Sequence, residues 1–328
     1  MPKISIVIAM YNIEKYIAQC IESCINQKDV SKEDYEIVIV NDGATDNSLQ
    51  IAQNAIDGHD NARIITRING GLSEARNTGI QNITGEYVWF VDGDDAIAGN
   101  AISTLINHIE KYRYDAYIIN FSTFEIKDKI DTSNFDLHFL PMTGKDVHHK
   151  KNRILPLMAW LTIYNVNVIK DNNLTFMPGI LHEDFEFSVK AHHVCSSIGF
   201  IPEDLYYYRI ARNDSIMSSS RKDNTRSLVA EVRILQSFRQ FFKDENNQFV
   251  KRLYGMCATS FFIRRYDSAF VLSDVTSKLI KENKLSLYED MWNSKEWKRR
   301  LLLLFIIVSP KYLIKKVLYQ LGERSKLM

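Results

Sequence analysis

The chain has 328 residues, 45% of them hydrophobic and 25% charged, with 13 Gly and 6 Pro. That is the composition of a folded protein and sets aside disordered, collagen-like and low-complexity classes. Lys and Arg number 41 against 40 Asp and Glu, a formal charge of +1, so no global positive field recruits nucleic acid and that partner class is disfavoured.

The first hundred residues alternate regularly. Ile4 to Met10 is a continuous apolar run, as expected of a strand covered on both faces. A helix follows, with Asn12 read as its N-cap and Ile13, Tyr16, Ile17, Cys20, Ile21, Cys24 and Ile25 along one face. A second buried strand over Glu36–Val40 ends in Asn41-Asp42-Gly43. The next helix is capped near Asp46 and presents Leu49, Ala52 and Ile56. Arg63–Thr66 is a third strand, a helix starts at Ser73, and the strand Glu86–Val91 runs into Asp92-Gly93-Asp94-Asp95. This order implies right-handed crossovers and a mostly parallel sheet.

Beyond Ala96 the periodicity predicts a helix through Ile102, Leu105, Ile106 and Ile109, then a longer strand over Asp115–Ile126. Residues 127–150 read as polar and irregular. Trp160–Lys170 is mixed, His182–Cys195 helical, and Leu205–Ile210 a short aromatic strand. Helical periodicity dominates from about Asn224, as in Leu228–Phe242 and Phe249–Arg265.

Cys20 and Cys24 share an apolar stripe, Cys195 and Cys257 stand alone, and zinc-type spacing is absent. They read as small buried hydrophobes in a reducing compartment. The N-terminal MPKISIVIAMYN lacks the layout of a secretory signal. No run of about 20 apolar residues could span a bilayer, so a cytoplasmic location is expected. Residues 295–328 hold the apolar run Leu301–Val308 and an amphipathic basic stretch beyond Pro310. That segment reads either as an interfacial helix in peripheral contact with the inner face of the membrane, or as a core helix with a solvated or dimerising one. Oligomeric state is left open.

Tyr11-Asn12, Asn41-Asp42 and Asp92 to Asp95 all directly follow strands, and ligands of open α/β sheets bind outside the carboxyl ends of strands. Carboxylates as crowded as Asp92, Asp94 and Asp95 repel one another unless a cation sits among them. Hard oxygen donors at this spacing suit Mg²⁺ or Mn²⁺, the alternative being a solvated acidic turn. Neither G-x-G-x-x-G after the first strand nor G-x-x-x-x-G-K-[ST] is present, which disfavours a hydride-transfer cofactor and a P-loop.

The segments IVIAMYN (6–12), EIVIVNDGATDNS (36–48), NGGLSEARNTGI (69–80) and GEYVWFVDGDD (85–95) resemble, in order, those of family 2 glycosyltransferases of the GT-A fold. His182-Glu183-Asp184-Phe185 and Arg212-Asn-Asp-Ser215-Ile216 extend the resemblance over about the first two thirds of the chain. The family's second motif commonly reads D-D-G-S, where Asn41 and Ala44 stand here; Asp42 keeps its place and the role of Asn41 is open.

The resemblance implies a Rossmann-like sheet sandwiched by helices, with a C-terminal helical extension. It implies residues 1–95 as the nucleotide-sugar half, 96–220 as the acceptor half and 221–328 as a helical region. Tyr11, beside Asn12, would pack on the base of a nucleotide sugar, UDP most often. Asp42 would accept the uracil N–H, Arg76 would approach base or diphosphate, Asp92 would contact ribose, and Asp94, with Asp92, would hold the metal. Asp95 would support them from behind. The general base would be Asp184, with Glu183 as competitor, and Arg212 would lie over the diphosphate. Trp160 reads as acceptor-lining or simply buried.

The implied activity is inverting transfer of a sugar from a UDP-sugar to a glycan or lipid-linked acceptor, in cell-surface polysaccharide biosynthesis. The alternatives are a non-catalytic nucleotide- or glycan-binding relative, or a nucleotidyltransferase.

Overall fold

The computed structural model describes residues 1–123, 143–144, 157–210, 224–245, 247–267, 290 and 293–294. The chain divides into two compact units, one of residues 1–179 with 183–212, the other of 180–182 with 213–328.

The first unit is built on an eight-stranded sheet. Its strands are β1 (Ile4–Met10), β2 (Tyr35–Asn41), β3 (Ala62–Thr66), β4 (Tyr87–Asp92), β5 (Ala96–Ile97), β6 (Ala116–Thr123), β7 (Thr162–Asn165) and β8 (Ile198–Tyr208). They lie in the order β3-β2-β1-β4-β7-β6-β8-β5. The β3-β2-β1-β4 half is wholly parallel. In the other half β7 runs antiparallel to both β4 and β6, β6 and β8 are parallel, and β5 is antiparallel to β8.

Strand β1 is apolar apart from Ser5 because both its faces are covered. Ile4, Ile6, Ile8 and Met10 join one core with Ile37 and Ile39 of β2 and with Ile17, Cys20, Ile21 and Cys24 of α1 (Ile17–Ile25). On the opposite face Val7 meets α3 (Leu72–Asn82) at Gly79, where a Cβ would lie 2.3 Å from Val7 Cγ1. Only glycine allows that approach, and it seats the first turn of α3 over the carboxyl end of the sheet. Among the described residues the remaining α-helices of this unit are α2 (Ser48–Ile56), α4 (Ala101–Tyr112), α5 (Val166–Asp171) and α6 (Glu183–Val194).

Three local expectations need correction. Asn12 does not cap α1: it is left-handed (φ 50), and its Oδ1 accepts from the Thr45 amide at 2.8 Å, across the loop that follows β2. A turn closed by the Tyr16 amide on the Ile13 carbonyl intervenes, and the helix begins at Ile17. Strand β8 is longer than expected, starting at Ile198, because its pairing with β6 continues past an irregularity at Ile119–Phe121. Strand β5, two residues long, was not foreseen.

The second unit contains α7 (Asn224–Phe241) and α8 (Gln248–Asp267), matching the expected helical stretches. Phe242 packs edge-on against Phe241 and Phe249, and the Tyr254 hydroxyl donates to the Phe238 carbonyl. Residues 295–328, expected to contact membrane or partner, lie outside the described residues, as does Arg212. Among the described residues no helix is long and apolar enough to cross a membrane.

Candidate active site

The strand registers bring the polar residues to one rim. Met10 pairs with Asn41, Asn41 with Thr66, and Ala9 with Asp92, so the segments starting at Tyr11, Asp42, Arg67 and Gly93 leave the sheet side by side. Gly93 is required where the acidic turn crosses β1: a Cβ there would sit 2.4 Å from Ile13 Cδ1 and 3.0 Å from the Ala9 carbonyl oxygen.

Arg76 is the centre of the site. It is 3% exposed, donates from Nη2 to Asp92 Oδ1 at 2.7 Å and from Nη1 to Glu183 Oε1 at 3.0 Å. Its guanidinium also lies 5.2 Å from the centroid of Phe176. Burial works against its charge, but Asp92, Glu183 and Asp184 outweigh that and hold the group firmly protonated. One side chain thus ties the acidic turn after β4 to the start of α6.

Glu183 and Asp184 occupy the first turn of α6, where the helix dipole favours negative charge. Burial nevertheless raises both carboxyls above their ordinary values, Arg76 working in the opposite direction. Asp184 Oδ1 accepts from the Phe185 amide at 2.8 Å. His182, just before the helix, is left-handed (φ 64).

Asp92 and Asp94 are half-buried, while Asp95 is 1% exposed. Burial, with the charges of Asp92 and Asp94, pushes the Asp95 carboxyl up to about 8. Asp95 accepts from the Tyr206 hydroxyl at 2.7 Å and the Arg209 amide at 2.8 Å. It therefore faces inward and supports the turn. Asp92 and Asp94 remain as the hard-oxygen pair near solvent. Among the described residues no three His, Cys, Asp or Glu side chains converge on a ready-made metal cage. Mg²⁺ and Mn²⁺ are commonly bound by one or two carboxylates plus substrate phosphates, and this pair fits that mode.

Asp42 is buried and lies apart from the Arg76 cluster. Its Oδ1 accepts from Arg67 Nη1 and the Gly70 amide, both at 3.0 Å, and its Oδ2 from the Gly71 amide at 2.7 Å. Gly71 is left-handed (φ 88), the conformation that starts α3. Asn41 closes its own turn, Oδ1 accepting from the Ala44 amide at 3.0 Å. Tyr11 is 48% exposed, available at the rim.

Trp160 is buried, stacked on Tyr206 at 4.3 Å, so of its two readings the buried one holds. The four cysteines are buried thiols. The sequence reading missed Arg67, Tyr206 and Arg209. The run Tyr206-Tyr207-Tyr208-Arg209, a basic residue at the end of an aromatic strand, was the signal available for the last two.

An open α/β sheet with carboxylates, not a glycine cradle, at its strand ends is the GT-A architecture. The profile of glycosyl transferase family 2 matches residues 5–170, half of the chain, and the chain belongs to that family. It is 32% identical over 216 residues to the uncharacterized glycosyltransferase EpsJ of Bacillus subtilis, covering 63% of this chain and 61% of that one. The poly(ribitol-phosphate) beta-N-acetylglucosaminyltransferase TarS of Staphylococcus aureus is 28% identical over 223 residues, 67% of this chain and 38% of TarS. The chain thus spans less than two thirds of either relative. The crystal structure of TarS 1–349 in complex with UDP-GlcNAc superposes with a TM-score of 0.72 at 23% identity, covering 98% of this chain and 92% of that one. The mannosyltransferase PcManGT of Pyrobaculum calidifontis, in complex with GDP-Man and Mn²⁺, gives 0.54 at 14% identity, covering 100% and 81%.

Proposed function

We propose that the chain is an inverting glycosyltransferase that moves a sugar from a UDP-sugar to a hydroxyl of a glycan or lipid-linked acceptor, in the making of a cell-surface polysaccharide. The observation that carries this reading is the Arg76 bridge from Asp92 to Glu183. Inversion needs a base on the acceptor side and charge neutralisation on the diphosphate side, close together but chemically separate. Arg76 joins a carboxylate of each.

Asp184 is the base that takes the acceptor hydroxyl proton as the oxygen attacks the anomeric carbon. Glu183 is ion-paired to Arg76, which occupies its carboxylate, whereas Asp184 Oδ1 accepts from the Phe185 amide; burial raises both carboxyls, which suits proton removal nearer neutral pH. Asp94, with Asp92, would hold Mn²⁺ or Mg²⁺; when bound, that ion carries the charge of the departing diphosphate, so the leaving group needs no proton. Arg76 and Arg212 meet the diphosphate, Tyr11 and Asn12 flank the base, and Asp42 accepts its N–H. The cation in PcManGT and the UDP-sugar in TarS support this donor reading. The polymer named for TarS supports the acceptor class. Peripheral contact with the inner membrane face through residues 295–328 belongs to the same proposal.

A thermal-shift screen of UDP, GDP, CDP and dTDP, with and without Mn²⁺, tests it. Ligand at 100 times its Kd stabilises by about 2.7 kcal/mol, so micromolar binding registers at millimolar ligand. Stabilisation by UDP that depends on Mn²⁺ and is lost in Asp94→Ala is the expected result. Silence from every nucleotide with the protein folded favours a non-catalytic relative instead.

A further inference from the structure

The turn from Asp92 to Asp95 is held from outside itself. The Tyr206 hydroxyl accepts from the Asp92 amide at 3.2 Å while donating to Asp95. Arg209, directly after β8, grips the turn twice: its amide donates to Asp95, and its Nε donates to the Asp94 carbonyl oxygen at 2.7 Å. The far side of the same guanidinium is fixed to α1. Nη2 donates to Gln19 Oε1 at 2.6 Å, and the group stacks 4.9 Å from the Tyr16 ring centroid. Cys20, next to Gln19, reaches the Asp92 carbonyl at 3.6 Å through its thiol.

We infer that Arg209, assisted by Tyr206, is a positioning residue for the cation and diphosphate end of the donor site, acting through the Asp94 backbone without touching the donor. The inference rests on the reading above that Asp94 holds a divalent cation. The physical argument is one of tolerance. A carboxylate in an exposed turn samples several directions, whereas Mg²⁺ and Mn²⁺ demand oxygen ligands in near-ideal geometry. Fixing the carbonyl of Asp94 fixes the peptide plane from which its Cα–Cβ bond projects, so the carboxylate is pre-aimed. The planar guanidinium suits the task because it holds Asp94 and Gln19 from different nitrogens at once. It lies 115 residues from Asp94 in sequence, so α1, β4 and β8 share in setting one carboxylate.

Calorimetric titration of UDP into the full chain, with and without Mn²⁺, tests this for wild type, Asp94→Ala, Arg209→Ala, Arg209→Lys and Tyr206→Phe. Residues that orient a metal ligand from behind commonly change metal affinity by about 10- to 100-fold. Arg209→Ala is expected to weaken Mn²⁺-dependent UDP binding by that factor and to leave Mn²⁺-free binding at the wild-type level. Arg209→Lys should recover part of the loss, and Tyr206→Phe, which removes one hydroxyl, should show a smaller loss of the same kind. Wild-type enhancement by Mn²⁺ in Arg209→Ala overturns the inference. An equal loss with and without Mn²⁺ in both Arg209→Ala and Tyr206→Phe also overturns it, because the residues would then only support the fold. If wild type itself shows no Mn²⁺-dependent binding, or Asp94→Ala retains it, the donor-site reading fails and the inference falls with it.

Discussion

Arg76 concentrates the chemistry of the site in one side chain. A buried guanidinium is tolerated because two carboxylates answer it, and each of those would otherwise face the other's charge across the same gap. Removing it strands both. Arg76→Ala should cost about 3–5 kcal/mol of stability, the range for breaking a buried ion pair from one side. Arg76→Lys should lose less, since an ammonium can serve one carboxylate but not both in the fork geometry. Urea melts of the two variants check the order, and equal stability for Ala and Lys would contradict it. At this scale the sequence was legible where a residue follows its own strand: the apolar runs that end at Val40 and Val91 place Asp42, Asp92 and Asp94 at strand ends. It was not legible where a partner comes from far along the chain. Nothing near Arg76 announces Glu183, 107 residues away, and nothing near Asp42 announces that Arg67 and two glycine amides hold its carboxylate.

Among the elements, the parallel half of the sheet was the easiest to read. β1 and β2 are mostly apolar because helices cover both faces, and that burial leaves few polar residues to confuse the pattern. The exception is instructive. Ser5 and Glu36 lie buried and paired near the amino ends of adjacent strands, away from the site at the carboxyl ends. Glu36 accepts from the Ser5 hydroxyl, the Thr84 and Gly85 amides, the Thr84 hydroxyl and Arg63. Burial works against this carboxylate, but the hydrogen bonds from Ser5, Thr84 and Arg63 outweigh it and hold it below its ordinary value of 4.5. A depressed folded-state value stabilises above the unfolded one and is lost as pH falls through the folded one. Glu36 should therefore contribute fully at neutral pH and progressively less from about pH 4.5 downward. Glu36→Gln should cost about 1–3 kcal/mol at pH 7, because donors now satisfied would be left without an acceptor. It should also flatten the acid limb of the melting curve. A variant as stable as wild type at pH 7 would contradict the assignment. α1 and β8 were harder to read for local reasons: a left-handed Asn12 delays the helix, and Pro202-Glu203-Asp204 interrupts the apolar pattern of a strand that continues through it.

At the scale of the whole molecule, the family profile ends at residue 170, yet the Glu183-Asp184 pair lies beyond it. The sheet accounts for this. β8 and β6 pair in parallel after α6 has crossed over, so the segment that carries the pair is built into the same unit as β1 to β4. Sequence order alone could name the pair only through a resemblance; it is the α3-to-α6 ion pair through Arg76 that puts it beside the acidic turn. The helices of the second unit were legible from periodicity, but their function was not, since an amphipathic stripe describes a core-facing helix whatever the protein does.

The most direct test of the account is the rate of sugar transfer by Asp184→Asn, measured alongside its affinity for UDP in Mn²⁺. Removing a general base costs about 10²–10⁴-fold in rate, so transfer should fall by that factor while UDP still binds as it does to wild type. Transfer at the wild-type rate would contradict the assignment of the base, and with it the division of labour between Asp184 and the acidic turn.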